Sequence, residues 1–365
     1  MQVLFYTGNH KSKVGIEDIV NLISQVFNSS NDFTCEISND LLPGYDVIFV
    51  IEEFALQKNV DKILVAQKEL NNSTFILVCT EFVTKTRQHI TFNSFGSVFE
   101  NSALKILRIL TGTITKNYKD IQINVIFTFP LDLVMAFIWT ILFLKNNKLS
   151  LKALYKKIRE LSYFDMRYLN FKNVLKEVKL FTTTHPIIQK QILDLQQDAS
   201  FIGDIYPLIK TPKMSKATFF SGDHKIIKMS GNLTTYRFNK MKELKANLST
   251  DQTKTRFIIS SLKNPEVPNH RSDFTFNPPQ NENWKYCSPI RICRSWNIDE
   301  SIPLITKYFG QHPIENTAIH LRKKSTFRIH SINLDEMKNR IAQYNEIALR
   351  VNQKTLYNIK NLHIR

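Results

Sequence analysis

Tyr45–Ile51 reads YDVIFVI and Phe75–Cys79 reads FILVC. Each is an unbroken apolar run rather than an alternating one, the pattern of a strand covered on both faces, as in a parallel sheet. Pro43-Gly44 punctuates the approach to the first run, and a helical stretch from about Val60 to Leu70 separates the two. Upstream, Val3–Tyr6 reads as a short strand and Ile16–Phe27 carries apolar residues at helical spacing. Buried strands alternating with amphipathic helices predict a doubly wound α/β domain, whose ligands collect beyond the carboxyl ends of the strands. His10, Glu53 and Glu81 stand at such ends and are candidate general bases, set against the plainer role of capping or solvated side chains.

With 365 residues the chain is long enough for two such domains. From Lys148 to Lys179 it reads as charged helix; LFTTTHPII follows, with His185-Pro186 as a turn, His185 being also a looser candidate for a base, and a further helix through Leu195. Phe201–Pro207 is the expected crossing into the second half. That half opens with Lys225–Gly231, KIIKMSG, a strand ending in a glycine turn, then a helix from about Phe238 to Leu248. Leu334–Val351 has apolar residues at helical spacing and reads as one closing helix. The predicted division is 1–205, 206–333 and a closing helix and tail, 334–365.

A composition of 43% hydrophobic and 22% charged residues excludes a disordered chain. The net charge of +17 points to an anionic ligand or surface, although Lys-rich and Asn-rich usage also follows from base composition alone. Lys210–Arg256 is the most positive stretch, with eleven Lys or Arg against Asp223, Glu243 and Asp251. No zinc-knuckle spacing, aromatic-glycine RNA motif or Arg-rich arm accompanies it, so nucleic acid is the weaker partner and a phosphate-bearing ligand the stronger. Four scattered cysteines and no basic-then-apolar leader fit a reducing, cytoplasmic setting. Val125–Leu144 approaches the length of a membrane span, but Pro130 and Asp132 interrupt it; the remaining Leu133–Leu144 suits a buried or membrane-touching helix.

Three segments of the second half carry candidate chemistry. In SGNLTTYR, Ser230-Gly231 lets the backbone approach a ligand and Arg237 adds a fixed positive charge. In WKYCSPIRICR, Ser288-Pro289 is a helix start, with Arg291 and Arg294 three residues apart on one helical face. In SIPLITKYFGQHPIE, a strand ending near Lys307 leads through a glycine loop to His312 and Glu315; a carboxylate there has two oxygens able to accept ribose hydroxyls.

In this order the three segments resemble the donor-binding half of GT-B glycosyltransferases, over about Lys225–Glu315. The resemblance implies two Rossmann-like domains facing a cleft, an N-terminal acceptor domain and a C-terminal donor domain, and transfer of a sugar from a nucleotide-sugar donor to a glycan or lipid-linked acceptor. It implies donor phosphates on Arg237, Arg291 and Arg294 or Lys307, and the ribose on Glu315. It implies no metal and no cofactor, the donor being a substrate, and it is compatible with contact at the inner face of a membrane in polysaccharide biosynthesis. Two departures stand out: SWNIDES replaces the small-residue, glycine-containing turn expected before the last strand, and the second domain is short. The rival reading is a non-catalytic α/β protein using its basic surface on membrane or nucleic acid. No GxxxxGK[ST] loop supports a kinase.

Overall fold

The computed structural model describes residues 1–8, 13–51, 57–80, 134, 168–212, 224–230, 235–248, 254–260, 272–279, 287–306, 310–321 and 332–362. Two compact units are present. One gathers Met1–Glu53, Lys58–Phe82 and Asn173–Arg365; the other gathers Phe54–Gln57 and Val83–Lys172, of which almost everything lies outside the described residues. The apolar segment Val125–Leu144 falls there, residue 134 apart. Among the described residues no helix is long and apolar enough to cross a membrane.

The first six strands, β1 (Gln2–Tyr6), β2 (Thr34–Ser38), β3 (Val47–Ile51), β4 (Thr74–Cys79), β5 (Leu180–Thr183) and β6 (Ser200–Asp204), form one sheet in the order β2-β1-β3-β4-β5-β6. Every ladder is parallel. The runs read as doubly covered strands are so: all five residues of β3 are buried, as are five of the six in β4. Helix α1 (Lys13–Asn28) covers one face with Val20, Ile23, Val26 and Phe27. Phe5 stacks on Phe49 at 5.2 Å, and Phe27 meets both edge-on, the arrangement aromatic quadrupoles favour. Helix α2 (Gln57–Glu69) follows β3.

The second sheet is built from β7 (His224–Ser230), β8 (Lys254–Ser260), β9 (Phe274–Phe276), β10 (Ile302–Ile305) and β11 (Ile319–His320), in the order β11-β10-β9-β7-β8, again all parallel. Among the described residues, helices α4 (Thr235–Leu248) and α5 (Pro289–Asn297) connect its strands; α3 (Pro186–Leu195) belongs to the first sheet. In both sheets the first strand lies between the second and third, so both reverse direction of winding at one place: between β1 and β3, and between β7 and β9. The fold is therefore two Rossmann-like parallel sheets, as the sequence leads one to expect.

Helix α6 (Leu334–Leu362) serves both sheets. Leu334, Met337, Ile341, Tyr344 and Ala348 enter the core of the second sheet, and Ile359 enters that of the first. It runs well past the expected end at Val351. Its polar residues fasten the segment that joins the sheets. Asn358 Nδ2 donates to Ile202 O at 2.7 Å, Thr355 Oγ1 to Asp204 O at 2.7 Å, and Tyr344 Oη to Pro207 O at 2.7 Å. Asn352 takes both backbone groups of Tyr206, each at 2.8 Å, and Asn345 takes both of Ile209, at 3.0 and 2.7 Å.

Candidate functional site

In open α/β sheets ligands bind where the winding reverses, outside the carboxyl ends of the strands. For the second sheet that place lies between the ends of β7 and β9. Beyond β7, the first turn of α4 carries Arg237, which is fully buried. Its Nε donates to the carbonyl of Pro278 at 3.2 Å, in the loop that leaves β9. Arg237 thus bridges the two chain segments that frame the reversal, and it brings a permanent positive charge there. Ser230 is the last residue of β7; Gly231 lies outside the described residues.

The loop leaving β9 is shaped by its sequence. Asn277 N donates to Leu304 O at 2.8 Å, extending the ladder by one residue. Its side chain donates to Ser295 Oγ at 2.8 Å, which ties the strand end to α5. Pro278-Pro279 then ends the strand, since neither residue has an N–H to offer. Helix α5 begins as expected, with Ser288 at the N-cap position and Pro289 in the first turn. The Ser288 hydroxyl makes no capping bond. Helix-start amides and the N-terminal end of the helix dipole favour an anion at this point. Arg291, part-exposed, lies in the same first turn.

Arg294 is placed differently. It sits in the last turn of α5, with Nε 3.9 Å from Asp299 Oδ2, while Lys228 Nζ lies 2.8 Å from Asp299 Oδ1. Sharing one helical face does not bring Arg294 to the helix start beside Arg291.

After β10, Gly310 adopts φ +63°, a left-handed turn that glycine takes without steric penalty. His312 follows as N-cap of a 3-10 turn, Pro313–Thr317, its Nδ1 accepting from Ile314 N at 3.2 Å. Glu315 is fully buried; its Oε2 accepts from Gly310 N at 2.9 Å and closes the loop on itself. The carboxylate is held firmly at this edge of the sheet, with one oxygen engaged by its own loop. Lys307, between β10 and this loop, lies outside the described residues, as do His10, Glu53 and Glu81.

The structure sets His185 and His312 in a group with Tyr206 and Tyr344. His185, expected as a turn, is the N-cap of α3, its Nδ1 accepting from Ile187 N at 3.1 Å. Its ring lies 5.4 Å from that of His312; Tyr206 lies 4.2 Å and Tyr344 6.2 Å from His312. Burial holds His185 down to about 4, and burial reinforced by His185 holds His312 well below the ordinary imidazole value. Nearby Asp204 is pushed up to about 6 by burial, with an opposing hydrogen bond from Thr183 Oγ1 at 2.5 Å. Burial raises both tyrosines. The signal that could have found the pair is a repeated His-Pro-Ile, at 185–187 and 312–314.

No family model matches the sequence, and no curated protein matches it. Among solved structures the chain aligns with an α,α-trehalose-phosphate synthase (UDP-forming) from Burkholderia vietnamiensis at 8% identity, over 99% of this chain and 98% of that one, with a TM-score of 0.37. It also aligns with an α1,3-fucosyltransferase with GDP, at 9% identity over 100% and 90% of the chains and a TM-score of 0.29. A spinosyn rhamnosyltransferase complexed with thymidine diphosphate aligns at 7% identity over 100% and 99%, TM-score 0.29. The two parallel sheets themselves define the fold.

Proposed function

We propose that the chain is a metal-independent glycosyltransferase that takes its sugar from a nucleotide-sugar donor bound at the β7/β9 reversal. The observation that carries the reading is Arg237, buried and bridging the α4 start to the Pro278 carbonyl at the place where such sheets bind ligands. In this reading the donor diphosphate lies on the Ser230-Gly231 backbone, on Arg237, and on the first turn of α5 through Ser288, Pro289 and Arg291. Lys307 adds charge, Glu315 accepts from the ribose, and His312 holds the turn that carries Glu315. Arg294 contributes only if it leaves Asp299.

In the reaction the bond from the anomeric carbon to the diphosphate breaks, leaving its electron pair on the nucleotide. A bond to the acceptor oxygen forms, and the acceptor's proton passes to a base. Fixed positive charge stabilises the departing diphosphate, where negative charge grows. Glu53, Glu81 and His10 are the proposed bases, in an acceptor domain spanning 1–205 that faces the donor domain, 206–333, across a cleft, with 334–365 closing the chain. The acceptor is a glycan or lipid-linked, met at a membrane face.

The test is thermal shift of the purified protein with UDP, GDP, CMP and dTDP. A ligand that binds only the folded chain raises Tm by mass action. One nucleotide is expected to raise it, and Arg291→Ala and Glu315→Gln to remove the rise. If no nucleotide raises Tm, or if both variants keep the full rise, the proposal is wrong.

A further inference from the structure

The two sheets meet through a pair of histidines that occupy equivalent places. His185 follows β5 and caps α3; His312 follows β10 and caps the 3-10 turn. Each is followed by proline and isoleucine, each uses Nδ1 to accept the isoleucine N–H, and each is buried. Accepting at Nδ1 requires a neutral ring with its proton on Nε2. The rings are 5.4 Å apart, and Tyr206 from the crossing segment and Tyr344 from α6 pack on the His312 side.

A proton added to either ring goes to Nδ1 and turns the acceptor into a donor aimed at another donor. That cap is lost, and a positive charge is set against the N-terminal end of its own turn, where the backbone amides already point. A second proton would meet the first across 5.4 Å in a dry setting, where like charges repel strongly. We infer that His185 and His312 form an acid-labile joint between the two sheets, in which proton uptake breaks the paired caps and releases the β5–α3 turn from the Pro313–Thr317 turn.

A backbone hydrogen bond with Thr184 favours the charged His312 ring, but burial and the neighbouring His185 outweigh it. Tyr206 and Tyr344 stay neutral in the relevant range, both raised by burial. Asp204, at the end of β6, is pushed up to about 6 and so loses its own charge as the medium becomes acid. Glu315 points Oε2 at Gly310 N, within its own loop. His185 itself is held to about 4 by burial, in keeping with a neutral, closed joint at neutral pH.

The joint includes the turn that carries Glu315, and its test uses no nucleotide. Amide hydrogen exchange of the full chain, followed from pH 7 to pH 4.5, gives protection factors for Ile187 and Ile314, whose N–H groups make the two caps. Below the free imidazole value these should fall by about tenfold per pH unit, as linkage of one proton to opening requires. Protection of Phe5 and Phe49, in the first sheet's core, should stay level. His185→Asn and His312→Asn keep an N-cap acceptor that cannot take a proton, and each should flatten the fall at its own cap. Imidazole NMR of the unaltered chain supplies a second reading, in which both rings titrate well below the free value of about 6.5. The inference is overturned if either ring titrates near the free value with its cap amide still protected. It is also overturned if the asparagine variants fall as steeply as the parent, or if Phe5 and Phe49 lose protection together with the caps.

Discussion

Gly203→Ala should destabilise the protein by about 3 kcal/mol, and the damage should be partly repaired by a second change on α6. A Cβ added at Gly203 would stand 2.2 Å from Thr355 Oγ1, 3.0 Å from its Cβ and 3.2 Å from its Cγ2, and the glycine has φ +152°. Thr355 cannot simply turn aside: it is buried, its Oγ1 donates to Asp204 O at 2.7 Å, and Asn352 and Asn358 pin the helix on either side. Overpacking of this kind costs about 1–3 kcal/mol, and a side chain forced into a disfavoured backbone region adds about 1 kcal/mol or more. Thr355→Ala alone should cost about 1 kcal/mol, for the lost bond to Asp204 O. In Gly203→Ala/Thr355→Ala the contacts with Oγ1 and Cγ2 are gone. The double variant should therefore be less destabilised than the sum of the singles by about 1–2 kcal/mol, in the range measured for touching residues. Urea unfolding followed by fluorescence and far-UV dichroism gives all four stabilities. A Gly203→Ala cost below about 0.5 kcal/mol, or singles that simply add, would refute the claim that β6 and α6 are pressed together here.

Asp204→Asn should stabilise the protein above pH 7 by up to about 3 kcal/mol, because folding then no longer buries a charge at this position. Asp204 is raised to about 6 from 3.8, so the folded parent takes up a proton before the unfolded one as pH falls through 6, and the variant's advantage should shrink steadily toward pH 4 in denaturant titrations. Asn352→Ala leaves the buried N–H and C=O of Tyr206 without their partner and should cost about 3 kcal/mol; Asn345→Ala, at the part-buried Ile209, should cost nearer 1 kcal/mol in the same unfolding assay. Glu315→Gln keeps an acceptor for Gly310 N and should change stability by less than about 1 kcal/mol, while weakening nucleotide binding by calorimetry at least about tenfold, since hydrogen bonds to charged groups are the stronger ones.

The strands that sequence pattern reveals are those buried on both faces. β3 and β4 are continuous apolar runs and are legible for that reason. β2 has no such run, because TCEIS lies at the sheet edge and is mostly exposed, and β9 is only three residues long. The apolar pattern of α6 stops at Val351 because its buried face turns polar beyond that point: Asn352 and Thr355 take positions that apolar side chains would fill in an ordinary amphipathic helix. At the site, the helix start at Ser288-Pro289 and the glycine loop before His312 follow from local backbone chemistry and were readable. What could not be read is which long side chain goes where. Arg291 and Arg294 share a helical face, yet Arg294 lies at the far end of α5 with Asp299, which also takes Lys228. Arg237 reads as one more cation in a basic stretch; its burial depends on the loop after β9, which is distant in sequence.

The asparagines of α6 explain why the crossing between the sheets needs no strand beside it. Past the end of β6, from Ile205 to Ile209, the chain runs to the second sheet, and a buried crossing must find partners for its N–H and C=O groups. A neighbouring strand would supply them but would extend the sheet. Here a side-chain amide supplies them instead: Asn offers one acceptor and one donor on the same group, so Asn352 satisfies both backbone groups of Tyr206 and Asn345 both of Ile209. The two asparagines are seven apart, two helical turns, which spans about 10 Å along α6; the residues they serve are three apart in an extended segment, which spans about the same distance. Only an extended chain lying along the helix satisfies both pairs at once, so the spacing fixes the path and register of the crossing. Thr355 and Asn358 continue the match to Asp204 and Ile202. Helix and crossing therefore behave as one spine, which seats Tyr206 and Tyr344 against His312 and sets where the two sheets meet.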